Sequence, residues 1–294
     1  MCELFRAAAE VGLGAACREG ATDVIRPPAV LVATGDIHDN PINLGKLIRL
    51  AGMDEAGAPE GPPRHLLLHE IIHSDRLVNG MDLSYRALAK VAHLKLRFPE
   101  RVHVMLANHE LAQMRGAGIV KGGVRVVEAF DAGLEMAFGE DAGEVADAVA
   151  AFVRSMALAV RCKTGTAERP LADILCAHSL PGVASMPRFD PTVLDRVLTA
   201  DDYERSGSAH AMVWGRGYDS DQLEDLVEAW HAGMFILGHE HVDDGVRFFP
   251  PNAVILNSDH ERGVALEIDL EHPPTPHEAV ERVVKLRDLV DPFL

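Results

Sequence analysis

The sequence predicts an α/β fold in which buried strands alternate with helices. Five apolar runs of strand length each end in a polar residue, and stretches with helical periodicity separate several of them. The chain has 294 residues, of which 48% are hydrophobic, so it can bury a sizeable core. Because ligands of α/β sheets collect beyond the carboxyl ends of the strands, we expect a functional site there.

The five apolar runs lead into the residue types that most readily bind metal ions. They are Ala29–Thr34 before Asp36 and His38, Leu66–Leu68 before His69 and Glu70, Val102–Ala107 before Asn108, His109 and Glu110, Ala172–Ala177 before His178, and Met234–Leu237 before His239 and His241. Each polar residue alone is compatible with a structural role, such as a turn, a helix cap or a buried histidine. Five such endings in a chain with fifteen histidines indicate a metal site.

Other patterns predict the remaining elements. We expect an amphipathic helix within residues 1–20, further helices at Ile42–Met53, Leu83–Phe98, Asp221–His231 and His277–Leu289, strands at Ala253–Asn257 and Gly263–Asp269, and loops at Gly52–Pro63 and Cys162–Pro170. Residues 122–160 are rich in Ala, Val and Glu with helical spacing. We interpret them as an inserted helical cap that overhangs the site within a single domain of residues 1–294.

Charge and cysteine content narrow the class of protein. The formal net charge of −17 argues against a nucleic-acid partner, because phosphate backbones are repelled by most of such a surface. The four cysteines form no CxxC pair, which is typical of a protein in the reducing cytoplasm. No apolar run approaches the ~18 residues that a membrane span needs. We therefore expect a cytoplasmic protein without a membrane partner; the sequence does not predict its oligomeric state.

The stretch H-E-I-I-H at His69–His73 matches the pattern of zinc proteases. In that class the two histidines lie on one face of a helix, four residues apart. Here they follow the apolar run Leu66–Leu68, and the β-branched Ile71 and Ile72 lie between them, which favours a strand. We therefore interpret the match as accidental. On this interpretation His69 and His73 bind no metal, and their replacement is expected to spare the metal content.

The ordered motifs D-x-H, an acid, N-H-E, H and G-H-x-H resemble those of the calcineurin-like metallophosphoesterases across about residues 29–270. The segment A-M-V-W-G-R-G at Ala211–Gly217 resembles the phosphoprotein-phosphatase and Shewanella-like protein phosphatase branch of that superfamily. The resemblance implies a two-layered β-sandwich core flanked by helices. It also implies a single catalytic domain that uses two divalent metal ions, namely Mn, Fe or Zn.

The resemblance assigns the ligands of the two metals. Asp36, His38 and His241 would bind one metal, Asn108, His178 and His239 the other, and Glu70 would bridge them. Mixed oxygen and imidazole ligands suit Mn, Fe or Zn. Two metals about 3.5–4 Å apart neutralise phosphate oxygens and supply a hydroxide at neutral pH. The resemblance then implies that a metal-activated hydroxide attacks phosphorus and that His109 protonates the leaving group.

The second motif departs from the family pattern G-D-x-x-D-R. Glu70 takes the position of the bridging Asp, with Asp75 and Asp82 as alternative bridging acids. His73 takes the position of the second Asp, which in the family orients the proton-donating histidine. Asp75 or Glu110 is then the alternative support for His109. Without such a support, we expect a lower pKa for His109.

Two arginines are candidates for binding the substrate phosphate, because a guanidinium binds phosphate oxygens in a bidentate way. Arg216, in the W-G-R-G segment, is the first, and Arg115, after the N-H-E motif, is the second. The predicted function is a phosphomonoesterase of the serine/threonine protein phosphatase type, acting on a phosphoprotein or a small phosphoester. The alternatives are a dinucleoside polyphosphate hydrolase and a catalytically weakened module that binds metal or phosphopeptide.

Overall fold

The structure is a computed structural model that describes residues 1–54 and 60–291. Residues 55–59 of the predicted loop Gly52–Pro63 therefore lie outside the described residues. The helices are α1 Cys2–Gly14, α2 Pro41–Leu50, α3 Tyr85–Arg97, α4 Asn108–Arg115, α5 Val126–Phe138, α6 Ala142–Ser155, α7 Ser208–Val213, α8 Ser220–Trp230 and α9 Pro276–Glu281. Short 3-10 helices occur at 139–141, 183–188, 191–195, 200–203 and 286–288.

The strands form two large sheets and one small hairpin. They are β1 Arg18–Glu19, β2 Thr22–Ile25, β3 Val30–Thr34, β4 Arg64–His69, β5 Val102–Met105, β6 Val120–Lys121, β7 Val124–Arg125, β8 Ala159–Gly165, β9 Pro170–Ala177, β10 Ala232–Leu237, β11 Val246–Phe249, β12 Ala253–Leu256, β13 Val264–Asp269 and β14 Val284–Lys285. One sheet has the order β1-β2-β8-β9-β10-β12-β11 and the other β14-β13-β3-β4-β5, while β6 and β7 pair with each other.

The two large sheets pack face to face, and helices cover their outer faces. Alternate residues of the strands belong to two separate cores, because successive side chains point to opposite faces of a sheet. Leu31 and Ala33 lie in the core between the sheets, whereas Val32 faces the helices. On the other sheet, Ile236 faces the inter-sheet core and Phe235 the outer one. The predicted two-layered β core with flanking helices is confirmed.

The apolar runs predicted as strands all form strands, in β3, β4, β5, β9 and β10. They read as continuous apolar runs because both faces of each strand are buried. The predicted N-terminal helix is also present as α1, which buries Phe5 and packs against α3 and α6. Within the part of the chain that the structure describes, no helix combines the length and apolarity needed to cross a membrane.

Two predictions about the elements were wrong. The closing helix does not reach Leu289, since α9 ends at Glu281 and β14 then pairs with β13. Val283 and Val284 are β-branched and suit an edge strand better than a helix. The predicted loop Cys162–Pro170 is mostly strand, because β8 extends to Gly165 and pairs with β9.

Residues 122–160 contain α5, α6 and the start of β8. Helix α6 packs against α1 and α4, and α5 packs against α6. The role of residues 122–160 as a cap over the site stays a prediction. The short β6–β7 hairpin, which begins just before the segment, reaches the cleft described below.

Candidate metal centre

The carboxyl ends of strands β3, β4, β5, β9 and β10 meet at one edge of the sandwich. Asp36, just after β3, forms isolated parallel bridges with His69 at the end of β4 and with Asn257 after β12. This approach requires Gly35, because a Cβ on it would lie 2.0 Å from the carbonyl oxygen of Leu256. The strand ends thus enclose a cleft of about 660 Å³. Its lining includes six predicted metal ligands, Asp36, His38, Glu70, Asn108, His239 and His241, together with His109, and His178 lies buried behind it.

Glu70 lies between two groups of candidate ligands. Its Oε1 is 2.9 Å from Nε2 of His38, and its Oε2 is 2.7 Å from Nε2 of His178. The backbone at Glu70 is left-handed, with φ of +48°, so the side chain leaves the end of β4 toward the cleft. A single carboxylate therefore touches both groups. The alternative acids do not: Asp75 pairs with Lys121 and Asp82 accepts from the backbone of Ser74 and Ser84.

Asn108, His178 and His239 form the second group around Glu70. Oδ1 of Asn108 lies 2.7 Å from Nε2 of His178 and 3.1 Å from Nδ1 of His239. The two imidazole nitrogens are themselves 3.1 Å apart. Asn108 is the first residue of α4, and Ala107 occupies the N-cap position. Oδ1 of Asn108 contacts the two imidazoles, so the alternative role of Asn108 as a helix cap does not apply.

The donor set fits a bound cation. Nδ1 of His38 donates to the carbonyl oxygen of Ile72, 3.1 Å away, so in the neutral ring the lone pair on Nε2 faces Glu70. Nε2 of His38 can thus offer a lone pair to a cation beside Glu70. Nε2 of His239 is among the buried side-chain atoms of the described residues that have no hydrogen bond. Buried groups of this kind are satisfied when they coordinate a metal, and the nitrogen and oxygen donors suit Mn, Fe or Zn.

Burial and crowding shift the pKa values of these groups. Burial and the neighbouring Glu70 raise the pKa of Asp36 to about 7. Burial opposes ionisation of Glu70, but His178 and other imidazoles outweigh it and hold its pKa well below the usual range. Burial opposes a charge on His38, whose pKa Glu70 nevertheless raises to about 9. Burial and His178 lower the pKa of His239 to about 2. A cation in the cleft would relieve the repulsion between the two buried carboxylates.

H-E-I-I-H is not helical. Strand β4 ends at His69, and the following residues form a loop in which Glu70 and His73 have positive φ. Nε2 of His69 donates to the carbonyl oxygen of Thr34 at 3.0 Å, and its Nδ1 lies 3.0 Å from Nδ1 of His178. Gly238 permits this position, since a Cβ there would come 2.4 Å from Cε1 of His69. His69 therefore supports His178 from behind.

His73 supports the other histidine of the cleft. Its Nδ1 lies 2.8 Å from Nδ1 of His109, which leaves Nε2 of His109 facing the cleft, 3.6 Å from Oε1 of Glu70. Neither alternative support reaches His109. Oε1 of Glu110 accepts from the backbone of Ile71 and Ile72, and Asp75 pairs with Lys121. Burial lowers the pKa of His109 to about 3 against the opposing charge of Glu70, in the direction predicted from the sequence.

The remaining predicted residues lie at the rim or beyond it. His241 lines the cleft, but its side chain is 68% exposed and its Nε2 lies 3.1 Å from Asp243, outside the buried cluster. Its role as a ligand stays a prediction. Arg216 lines the cleft, and a terminal nitrogen of its guanidinium lies 3.4 Å from the carbonyl oxygen of His239. Arg115 points into a neighbouring cavity and binds Glu204 with both terminal nitrogens.

Comparison with solved structures identifies the fold. No protein-family model matches the sequence, and no curated protein matches it significantly. A protein serine/threonine phosphatase from Saccharomyces cerevisiae superposes with a TM-score of 0.66 at 16% identity, over 91% of this chain and 81% of that one. The cold-active protein-tyrosine phosphatase of a psychrophilic Shewanella superposes with a TM-score of 0.58 at 15% identity, over 89% and 80%. This chain has the phosphoprotein-phosphatase fold. The fold resemblance predicted from the motifs is confirmed.

Within the phosphoprotein-phosphatase fold, sequence reasoning missed several residues of the site. Lys121 lines the cleft from the β6–β7 hairpin and pairs with Asp75 at 3.1 Å. Gly122 and Gly123 between two short β-type pairs were a hairpin signal that could have located it. Gln113 contacts His73, and its position four residues after His109 on a helix was a usable signal. Asp131 lies on α5, a different helix from His109, and we find no sequence signal that links the two.

Proposed function

We propose that this protein is a dinuclear metal-dependent phosphomonoesterase of the serine/threonine protein phosphatase type. The observation that carries the proposal is the position of Glu70, whose two oxygens face His38 on one side and His178 on the other. One carboxylate between two sets of nitrogen and oxygen donors suits two neighbouring metal ions. Asp36 and His38 would hold one of them, with His241 from the rim, and Asn108, His178 and His239 would hold the other. Bound metals would supply Lewis acidity toward phosphate oxygens and a hydroxide at neutral pH.

Two cations of this chain are placed to bind the substrate phosphate. Arg216 and Lys121 both line the cleft, in a protein whose net charge is −17. The guanidinium of Arg216 offers paired donors to phosphate oxygens, whereas the ammonium of Lys121 acts as a point charge. Both would attract the dianion and orient the ester bond. Arg115 lines the neighbouring cavity and pairs with Glu204 there, so we assign the phosphate to Arg216.

His109 is placed to protonate the leaving group. Its Nε2 faces the cleft while its Nδ1 is held by His73. Burial disfavours the imidazolium form, but a bound phosphate dianion favours it, so substrate binding itself would charge the ring. The proton would then pass from Nε2 to the ester oxygen as the phosphorus–oxygen bond breaks.

The surroundings of the cleft support an organic leaving group. A second cavity of about 390 Å³ shares Ile119 and Trp214 with the cleft and is lined mostly by apolar side chains. A phosphorylated side chain in the cleft would have this apolar wall beside it. Phosphorylated serine, threonine or tyrosine peptides are therefore the substrate class that we propose. A cytoplasmic location stays part of the proposal, and all four cysteines are free thiols.

Metal analysis of the purified protein combined with an activity panel tests the proposal. The panel, with added Mn, contains a phosphopeptide, p-nitrophenyl phosphate and diadenosine tetraphosphate. We expect about two metals per chain and turnover of the two monoesters. Hydrolysis of diadenosine tetraphosphate alone would favour a dinucleoside polyphosphate hydrolase. Bound metal without turnover of any member would favour a binding module, and the absence of metal binding would reject the site altogether.

A further inference from the structure

A chain of hydrogen bonds runs from α5 through α4 to the histidine of the cleft. Nε2 of Gln113 lies 2.7 Å from Oδ1 of Asp131, and Oε1 of Gln113 lies 3.0 Å from Nε2 of His73. His73 then reaches His109, with 2.8 Å between their Nδ1 atoms. Asp131 sits at the outer end of the chain and His109 at the inner end, on the wall of the cleft.

The chemistry of the outer end fixes the direction of every hydrogen bond. The ionised carboxylate of Asp131 only accepts, so the amide nitrogen of Gln113 donates to it. Oε1 of Gln113 must then accept, and Nε2 of His73 must carry the proton. In neutral His73 the other nitrogen, Nδ1, is an acceptor. His109 is therefore bound as the tautomer with a proton on Nδ1, and its Nε2 is directed to the cleft.

The packing holds the middle of this chain in place. His73 is fully buried, its backbone N–H donates to Oγ of Ser84 at 3.1 Å, and its left-handed backbone has φ of +64°. The rings of His73 and Phe130 form a T-shaped pair, with 6.0 Å between their centroids. Phe130 directly precedes Asp131, so α5 supplies both the contact and the terminal acceptor. Gln113 and His109 lie one turn apart on α4.

We propose that Gln113 and Asp131 fix His73 as a hydrogen-bond acceptor for His109, and that this relay of positioning residues directs Nε2 of His109 at the leaving group. The inference rests on the proposed function, in which His109 is the acid. A carboxylate next to His109 would both orient its ring and add a negative charge. His73 orients the ring as a neutral acceptor, and the charge lies beyond Gln113 at Asp131. The support for His109 is thus directional more than electrostatic.

Two isosteric variants of His73 test the relay by activity. His73→Asn places an amide oxygen near the position of Nδ1, whereas His73→Gln places its amide near Nε2 and removes the acceptor. We compare phenyl phosphate with p-nitrophenyl phosphate, whose better leaving group depends less on an acid. For His73→Gln we expect kcat on phenyl phosphate to fall by about 10-fold or more, within the range of general acid catalysis, with a smaller loss on p-nitrophenyl phosphate. His73→Asn should lose less than His73→Gln, and Glu128→Gln, at the exposed start of α5, is the control.

Equal losses on both esters, or equal losses in the two His73 variants, would overturn the positioning role. A second measurement does not depend on turnover. Long-range ¹H–¹⁵N correlation spectra of the metal-free full chain report the tautomer of each histidine. We expect a proton on Nε2 of His73 and on Nδ1 of His109, with mixed tautomers of His73 in Gln113→Met. The opposite tautomers would reject the relay. If the metal-loaded wild type hydrolyses neither ester, the proposed function fails, and the spectra still decide whether the relay exists.

Discussion

The Nδ1 atoms of His69 and His178 lie 3.0 Å apart, and both rings are fully buried. Nε2–H of His69 donates to the carbonyl oxygen of Thr34, so in the neutral ring Nδ1 accepts from His178. This leaves the lone pair on Nε2 of His178 directed at Glu70, Asn108 and His239. Outer partners of this kind orient a metal-binding histidine and fix its tautomer.

Replacement of His69 is therefore expected to weaken metal binding. The sequence alone predicted that such variants spare the metal, but the hydrogen bond to His178 changes that expectation. We expect His69→Leu to lower metal affinity by about 10- to 100-fold, the usual effect of losing an outer partner. Chelator competition with Zn measures it. His69→Asn, which keeps an acceptor near Nδ1, should lose less, and equal affinity in all three proteins would contradict the supporting role.

Glu70→Gln is expected to remove metal and activity together. The substitution keeps the volume of the side chain but removes the negative charge between His38 and His178, so two cations are no longer held together. Elemental analysis should give fewer than two metals per chain. Glu110→Gln is the matched control, because Glu110 is also buried and its Oε1 accepts from the backbone N–H groups of Ile71 and Ile72. In a zinc protease the glutamate is a base and not a ligand, so full retention of metal in Glu70→Gln would revive that reading.

His109→Asn is expected to lower kcat by about 10²- to 10⁴-fold, the contribution of a general acid. Its metal content should stay near that of the wild type, because the side chain that contacts His178 and His239 is that of Asn108 and not that of His109. Steady-state kinetics and elemental analysis on the same preparation separate the two effects. Loss of metal in step with activity would show that His109 is a ligand.

The site could be predicted from the sequence because chemistry and strand ends coincide along the chain. Each buried strand is an apolar run. A polar residue near its end, such as Asp36 or His178, therefore indicates a functional site at the edge of the sheet. Contacts between distant segments could not be predicted. His69 and His178 are 109 residues apart, and which faces which depends on the packing of the two sheets. Asp131 likewise becomes relevant only because α5 packs beside the loop of His73.

Competition between local propensity and tertiary contacts explains the errors in the fold. Residues 282–289 carry helical spacing, yet Val284 pairs with Ala265 and extends the edge of the sheet. The stretch Cys162–Pro170, predicted as a loop, contains Lys163 and Thr164, residue types that are compatible with a loop. As far as Gly165 it pairs with β9 instead, and Lys163 and Thr164 contact Asp173 and Ala172 of that strand. In both cases the conformation is determined by pairing with a neighbouring strand, which the local sequence pattern does not indicate.

Replacement of Arg216 and replacement of Arg115 are expected to affect catalysis differently, and steady-state kinetics measures the difference. Arg216→Ala is expected to reduce kcat/KM for a phosphopeptide by about 10- to 150-fold, the loss of a hydrogen bond to a charged group. Arg115→Ala should have a far smaller effect, because its guanidinium is occupied by Glu204 and faces the neighbouring cavity. Arg216→Lys keeps the charge but not the paired donors, so it should recover part of the loss. A larger loss in Arg115→Ala than in Arg216→Ala would reverse the assignment.

The free energy of unfolding is expected to fall in acid because of His65, which lies at the end of β4 opposite the metal site. Nδ1 of His65 lies 2.9 Å from Nε2 of His103, which is bound to Asp23, and burial together with the neighbouring His103 and Arg101 lowers the pKa of His65 to about 3. The unfolded chain therefore binds a proton at this residue below about pH 6.5, while the folded chain does not. The free energy of unfolding should decrease as the pH falls from about 6.5 to 3, and this group contributes at most about 1.4 kcal/mol per pH unit.

Urea unfolding across this pH range tests the prediction. The free energy of unfolding should depend less steeply on pH in His65→Phe than in the wild type. His93→Gln, on the exposed side of α3, is the control and should keep the pH dependence of the wild type. Identical slopes for His65→Phe and wild type would show that His65 is not held neutral by the fold.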